Sequence, residues 1–125
     1  MTDEEKKAMI SQLKKKFEDC SDIFVAIGDK MRQTLILDII DAGNDGIDVA
    51  SLAKMSVLSR PAVSHHLKVM KDAGILSSKK SGTQVFYSVR FQYGVLERIK
   101  ELVSGIESVT AAGDGGAAAE QGSFA

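Results

Sequence analysis

The sequence predicts a mainly α-helical fold with one small β-hairpin, and three observations lead to that prediction. Apolar residues recur at steps of three and four in five segments, which is typical of amphipathic helices. Two short strand-like runs flank Ser81-Gly82, which indicates a hairpin. The chain has 125 residues, of which 44% are hydrophobic and 26% are charged, so we expect one globular domain.

The first two predicted helices lie before a turn-rich cluster at 43–46. The first helix covers residues 4–27, and we expect Gly28 to end it in a left-handed cap. Asp29 then caps a second helix over about 30–42, because its carboxylate can accept a hydrogen bond from the first turn. The residues of the second helix that we expect to face inward are Leu35, Ile36, Ile39 and Ile40.

The next two helices and the short turn between them predict a helix-turn-helix. Asp48 caps a short third helix, and Ser59 caps the fourth. Pro61 suits the first turn of that fourth helix, where a missing N–H is harmless, and Gly74 suits its end. The buried stripe of the fourth helix is predicted to be Val63, Leu67 and Met70.

The hairpin, with strands over 75–80 and 84–89, completes a winged helix-turn-helix. A last helix follows over about 92–109, and its apolar stripe is wider than a small fold buries alone. We expect residues 1–109 to form one DNA-binding domain with terminal dimerisation helices. The low-complexity segment 110–125 has few large apolar residues, so we expect it to be a disordered tail.

The charge distribution points to a nucleic-acid partner, although the whole chain has a net charge of −1. Residues 54–90 carry seven basic side chains and one acid, Asp72, a net charge of +6 that leaves −7 for the rest of the chain. A basic block inside an acidic chain is expected where one face meets phosphate.

The fourth helix has the composition of a helix that reads the major groove, because it is apolar on one side and polar or basic on the other. We expect its N-terminal half to read bases through Arg60, Ser64 and His65, and Lys68 and Lys71 to contact phosphates. His66 and Tyr87 are expected to be structural rather than reading residues. The full predicted DNA-binding set is Ser59, Arg60, Pro61, Ser64, His65, Lys68, Lys71, Lys79, Lys80 and Gln84.

Three segments resemble the ArsR family of bacterial winged-helix repressors. They are 58–76, with its Ser-His-His-Leu run and Ala-Gly, the wing at 81–89, and the helix junction at 24–32 with its Gly-Asp-x-x-Arg pattern. The resemblance covers about residues 10–106. The sequence departs from the family pattern at Lys30, where the family has proline, and at Val57, where it has the turn glycine.

The resemblance implies a homodimeric, sequence-specific DNA-binding regulator that acts as a repressor on a palindromic operator. Two-fold symmetry would set the two reading helices about 34 Å apart, which is one turn of DNA. The wide apolar stripes of the first and last helices agree with that assembly. The predicted dimer residues are Leu13, Phe17, Cys20, Leu96, Ile99, Val103 and Ile106.

Other functions are disfavoured by the residues present. Metal-sensing relatives use cysteine pairs on the third helix or Asp and His on the last one, and neither set occurs here, so we expect no metal and no cofactor. We expect no enzymatic activity, because the two histidines have no plausibly placed nucleophile or paired acid. We also expect a cytoplasmic protein without a membrane segment or secretory signal.

Two alternatives remain open at this point. One is a redox- or metal-responsive regulator that uses Cys20, the single cysteine of the chain. The other is a winged-helix module that binds proteins and not DNA. The salt dependence of binding separates the second alternative from a DNA-binding protein, because phosphate contacts weaken steeply with added salt.

Overall fold

The structure is a computed structural model that describes residues 1–114 of the chain. Its described residues form two compact units, one of residues 21–96 and one in which residues 1–20 associate with residues 97–114. The elements, in chain order, are α1 (Asp3–Asp19), α2 (Ser21–Gly28), α3 (Lys30–Asp41), β1 (Ile47–Asp48), α4 (Val49–Met55), α5 (Arg60–Asp72), β2 (Leu76–Ser81), β3 (Gln84–Val89) and α6 (Val95–Asp114).

The first predicted helix is in fact two helices, α1 and α2, that are separated at Cys20. Thr2 begins α1 with a capping box, in which its hydroxyl accepts the Glu5 N–H and the Glu5 carboxylate accepts its N–H. The Cys20 N–H still bonds to the Lys16 and Phe17 carbonyls, but its ψ of 0° ends the helix. The apolar spacing continues through the break, so the periodicity of the sequence does not reveal it.

The junction between α2 and α3 depends on side chains rather than on a left-handed glycine. Gly28 does not have a positive φ, so the prediction of a left-handed cap there was wrong. The Asp29 carboxylate caps α3 as predicted, by accepting the Arg32 N–H at 3.0 Å. The carbonyls at the end of α2, which lack partners within the helix, accept hydrogen bonds from the side chains of Arg32 and Gln33.

The helix-turn-helix consists of α4, residues 56–59 and α5. Asp48 and Ser59 cap the two helices, as their positions in the sequence predicted. Val57, which stands where the family has glycine, has no positive φ and is 92% exposed, so this turn forms without a left-handed residue at that position. The Ser56 hydroxyl accepts the Leu58 N–H and holds the turn instead.

The core of the unit formed by residues 21–96 lies between α2, α3, α4, α5 and the first residues of β2. Its fully buried side chains include Leu35, Ile39, Leu52, Val63, Leu67, Met70 and Leu76. The three residues predicted as the stripe of α5 are all among them. Ile40 is an exception to the prediction for α3, because it lies 58% exposed on the outer side of the helix.

The wing is a three-stranded antiparallel sheet in the order β1-β3-β2, with one strand more than the predicted hairpin. β1 is only two residues long and pairs with β3 through Ile47 and Tyr87 and through Asp48 and Phe86. Gly46 precedes it with a φ of +83°, and a Cβ there would meet the Tyr87 carbonyl oxygen at 2.6 Å. A glycine is therefore required where the loop approaches β3.

The last helix begins later and ends later than the predicted 92–109. Tyr93 and Gly94 both have positive φ values, which form a turn before α6 begins at Val95. Gly74, with a φ of +82°, ends α5 as predicted, and a Cβ there would lie 2.6 Å from the Val95 side chain. The helix continues to Asp114, past the expected start of the tail, and the remainder of the predicted tail lies outside the described residues.

Candidate nucleic-acid interface

One side of helix α5 is apolar and buried, and the opposite side is polar and exposed to solvent. Val63, Leu67 and Met70 are fully buried, and no acid other than Asp72 lies on this helix. The opposite side is exposed and carries the predicted contact residues of the helix, namely Arg60, Pro61, Ser64, His65, Lys68 and Lys71. An α-helix of this kind fits the B-DNA major groove, which is about 12 Å wide.

The start of α5 is also exposed and is fixed by Ser59. Its Oγ accepts the Ala62 N–H at 3.3 Å, and Pro61 occupies the first turn. The cap defines where the helix begins, and so it sets which residues of the first two turns extend away from the core. Exposed N–H groups in the first turn of a helix suit contact with a phosphate.

Two lysines predicted to contact phosphates have protein partners in the free chain. Lys68 Nζ lies 3.0 Å from the Asp72 carboxylate, and both side chains are well exposed. Lys71 Nζ donates to Ser78 Oγ at 2.6 Å, which connects α5 to β2. An exposed ion pair is worth about 1 kcal/mol or less, so a DNA phosphate can replace Asp72 as the partner of Lys68. Neither contact was predicted from the sequence, although the four-residue spacing of Lys68 and Asp72 is a readable signal.

The two wing lysines lie on opposite faces of the sheet. Lys79 is paired with Phe86, and Lys80 is paired with Val85, so successive side chains alternate between the two faces. Lys80 shares its face with Ser78, whose hydroxyl is bonded to Lys71 of α5. Lys80 is therefore on the side of the wing that faces α5, and Lys79 is on the other side.

The tip of the wing is a tight turn. Ser81 pairs with Gln84, and Gly82 has a φ of +64°, which is the position that a two-residue hairpin turn gives to glycine. Gln84 is exposed there, as predicted for a residue that contacts DNA. The outer face of the sheet holds a shallow cavity of about 540 Å³, lined in part by Lys79, Phe86 and Arg90.

The two histidines of α5 have different surroundings. His65 is exposed on the polar side of the helix, in agreement with its predicted position. His66 is half-buried, and its Nδ1 lies 3.2 Å from the Arg32 guanidinium, so the prediction of a hydrogen-bonded structural histidine is confirmed. Tyr87 packs against the core, also as predicted. The Gly-Asp-x-x-Arg pattern in the sequence ends at Arg32, but its contact with His66, 34 residues away, was not predicted.

Three carboxylates at helix starts have a lowered pKa. The Arg32 backbone N–H lowers the pKa of Asp29, and the Ser51 hydroxyl is the largest cause of the lowered pKa of Asp48. The Thr2 backbone N–H lowers the pKa of Glu5 in the same way. These groups are ionised at neutral pH and complement the positive ends of α1, α3 and α4. Asp29 and Asp48 thereby support the two helices that precede α5.

The predicted dimer residues lie on α1 and α6, apart from Cys20. Phe17 is 47% exposed and Val103 50% exposed, and Leu96 and Ile106 are also exposed. Ile99 and Leu13 are half-buried, and Leu13 lies against Gly105 in the same chain. Cys20 is fully buried within the single chain, and its place in a dimer interface stays a prediction.

The described part of the chain holds neither a metal-ligating cluster nor a membrane-spanning helix. No group of three or more His, Cys, Asp or Glu side chains within residues 1–114 could hold a metal ion. None of the helices in that same range is both long and apolar enough to cross a membrane.

Comparisons with known proteins agree with this geometry. Residues 47–78, which include β1, α4 and α5, match the family model described as bacterial regulatory protein, arsR family. An uncharacterized HTH-type transcriptional regulator of Methanocaldococcus jannaschii is 34% identical over 94 residues, which are 75% of this chain and 98% of that protein. The transcriptional repressor SdpR of Bacillus subtilis is 32% identical over 69 residues, which are 55% of this chain and 73% of that protein.

A solved structure agrees on the fold. The ArsR-like transcriptional regulator from Rhodococcus sp. RHA1 superposes with a TM-score of 0.59 at 22% sequence identity, over 78% of this chain and 83% of that one. The resemblance that the sequence motifs indicated is thus confirmed by a family model, by relatives and by fold. This chain belongs to the ArsR family of winged helix-turn-helix proteins and is a DNA-binding transcriptional regulator.

Proposed function

We propose that this regulator is a homodimeric repressor that binds a palindromic operator, with one α5 helix in the major groove of each half-site. The observation that carries the proposal is the two-sided character of α5, which is buried through Val63, Leu67 and Met70 and exposed through a polar, basic face. The basic block of residues 54–90 contains this face and the wing, and its charge favours a phosphate-rich partner.

Within this proposal the residues of α5 have two roles. Arg60, Ser64 and His65 read base edges, because they occupy the exposed first half of the helix. Lys68 and Lys71 contact phosphates, after exchanging their present protein partners for DNA oxygens. Ser59 and Pro61 fix the first turn and bring its N–H groups to the backbone of the DNA.

The wing adds contacts at the flank of each half-site. Lys80 shares a sheet face with the side chain that α5 contacts, so it approaches the same stretch of DNA as the helix. Gln84 lies beside the turn and reaches the backbone from the tip. We assign Lys79 a weaker DNA contact, because it extends from the opposite face of the sheet.

The dimer is proposed to form through α1 and α6. Helix α1 has 17 residues and none of them is buried, while Phe17 on α1 and Val103 on α6 expose about half of their surface. Burying such side chains against a second copy contributes favourable free energy at about 25 cal/mol per Å². The remaining members of the interface are Leu13, Leu96, Ile99 and Ile106.

We propose that regulation uses no metal site of the types known in the family and that the chain is not an enzyme. The buried position of Cys20 disfavours a redox role, because reactive thiols are partly exposed. A regulator of operator DNA acts where that DNA is, so we place the protein in the cytoplasm.

A gel-shift assay against the DNA upstream of the protein's own gene tests the proposal. At about 100 mM salt we expect a specific shift that excess unrelated DNA does not remove. DNase footprinting of the shifted complex should then reveal two half-sites related by two-fold symmetry. The absence of any specific shift would overturn the proposed operator, and a single unrepeated half-site would overturn the dimer.

A further inference from the structure

The Arg32 side chain connects three helices of the unit formed by residues 21–96. Its Nε donates to the Ala26 carbonyl at 2.7 Å and its Nη2 to the Val25 carbonyl at 3.1 Å, both near the end of α2. Its Nη1 lies 3.2 Å from Nδ1 of His66, in the middle of α5. One residue in the first turn of α3 therefore ties the end of α2 to the helix that we propose reads DNA.

The contact between Arg32 and His66 requires a hydrogen-bond acceptor on the histidine ring. A guanidinium stays charged and has only donors, so the His66 Nδ1 must be the acceptor. An accepting Nδ1 carries no proton, which leaves the ring neutral with its proton on Nε2. If the ring took up a second proton, two donors and two positive charges would face each other across the same 3.2 Å.

Two further side chains, Asp29 and His65, lie near this contact. Asp29, the cap of α3, is the nearby acid, and its carboxylate accepts the Arg32 backbone N–H at 3.0 Å. Arg32 touches the His66 ring directly, whereas Asp29 is joined to the contact through the backbone N–H of Arg32. On α5 the His65 ring centroid lies 6.0 Å from the His66 ring centroid.

We propose that Arg32 is a positioning residue for DNA recognition, which holds α5 in its DNA-reading orientation through neutral His66, so that protonation of His66 lowers the affinity for DNA. The proposal rests on the proposed function, in which α5 is the reading helix. His66 lies on the half-buried side of α5, next to the exposed His65 that faces the DNA. Loss of the bond allows orientations of α5 that do not fit the groove. The observed affinity for DNA then decreases in proportion to the fraction of molecules in which α5 still fits.

The test is the pH dependence of operator binding in variants that separate the two histidines. These are the two histidines of the chain, and His65 would itself gain a charge towards DNA on acidification. Affinity is therefore measured by fluorescence anisotropy in H65N and in H65N/H66N, at fixed ionic strength. The amide oxygen introduced by the second substitution can still accept the Arg32 hydrogen bond but does not titrate, so the double variant is the matched control.

We expect H65N to lose about tenfold in affinity between about pH 7.5 and about pH 5.5, which is the loss of one hydrogen bond to a charged group. H65N/H66N should change by less than about twofold over the same range. Equal losses in the two proteins, or no loss in H65N, would overturn the proposal. Circular dichroism at both pH values checks that each protein remains folded.

A second measurement uses the wild-type chain alone and needs no DNA. A long-range ¹H–¹⁵N spectrum at about pH 7.5 should report the Nε2–H tautomer for His66, and an Nδ1–H tautomer would overturn the proposal. In the anisotropy assay, absence of DNA binding by the wild-type chain at that pH would overturn the proposed function as well. Binding with the expected tautomer but without the pH effect would overturn the positioning role alone.

Discussion

The unit formed by residues 21–96 and the helix α1 differ in how completely a single chain buries their apolar side chains. In the first, residues such as Leu67 and Met70 are fully buried and the exposed face of α5 is polar and basic. In the second, no residue of α1 is buried, and Phe17 lies 47% exposed. The unit that we propose reads DNA is thus fully packed within one chain, whereas we propose that a second copy covers the exposed apolar side chains of the terminal helices.

The largest effect is expected from the core of the reading unit. Leu67→Ala should lower the free energy of unfolding by about 2–5 kcal/mol, because it leaves a cavity behind the reading face. Phe17→Ala is the matched change on α1, and we expect it to cost much less at protein concentrations where the chain is monomeric. Urea denaturation at low protein concentration measures both. Equal costs would contradict the distinction between a complete and an incomplete unit.

A charge on the exposed stripe of α6 should separate assembly from folding. Val103→Asp is expected to weaken dimerisation by about 100-fold, because a carboxylate would have to be buried without a partner. Ser104→Asp places the same charge beside Lys16 and Lys100 and serves as the control. Sedimentation equilibrium gives the dimer dissociation constants. If both variants dimerise like the wild type, the interface lies elsewhere.

Substitutions on the reading face should change specificity in two different ways. Arg60→Ala should cost about 1–3 kcal/mol on the operator and little on unrelated DNA, because it removes a base contact. Lys80→Ala should weaken binding to all sequences alike. It should also reduce the slope of the logarithm of affinity against the logarithm of salt concentration by about 1 in magnitude. Competition binding at several salt concentrations distinguishes them. A uniform loss in Arg60→Ala would move that residue from base reading to phosphate contact.

The smallest effect is expected at the cap of α4. Asp48→Ala should cost about 1 kcal/mol of stability at neutral pH, while Asp48→Asn, which still caps, should cost only a few tenths. The Ser51 hydroxyl lowers the pKa of Asp48 in the folded chain. The charge of the Asp48 carboxylate therefore stabilises the fold above the unfolded pKa of about 3.9, and this stabilisation is lost as the pH falls through the pKa of the folded state. Thermal melts from about pH 7 to about pH 3 should therefore bring the wild type towards Asp48→Asn, because protonated Asp48 loses its charge but keeps an oxygen that can cap the helix.

The features that were predicted correctly from the sequence are those with local signals. The caps at Asp29, Asp48 and Ser59 depend on residues three positions away, and the stripe of α5 follows from the period of one helix. The break at Cys20 was missed because the apolar spacing of α1 continues into α2. Ile40 was assigned inward although it lies at the edge of the apolar stripe, where a small rotation of the helix exposes it.

The features that were missed at the candidate site depend on contacts between distant residues. The bond from Lys71 to Ser78 requires the wing to fold back beside α5, and the bond from Arg32 to His66 joins residues that are 34 positions apart. Lys79 and Lys80 lie on opposite faces because successive strand residues alternate, but which of them faces α5 depends on how the wing packs, which the sequence leaves open. β1 has two residues and becomes a strand only because β3 is next to it.

The most direct test of this account is the number of chains bound to one operator and its dependence on the spacing of the half-sites. A duplex with half-sites one turn apart should bind two chains in sedimentation velocity, because each chain supplies one complete reading unit. Inserting about five base pairs between the half-sites should abolish that complex, since the two helices would then face opposite sides of the DNA. One chain per duplex, bound equally well at either spacing, would contradict it.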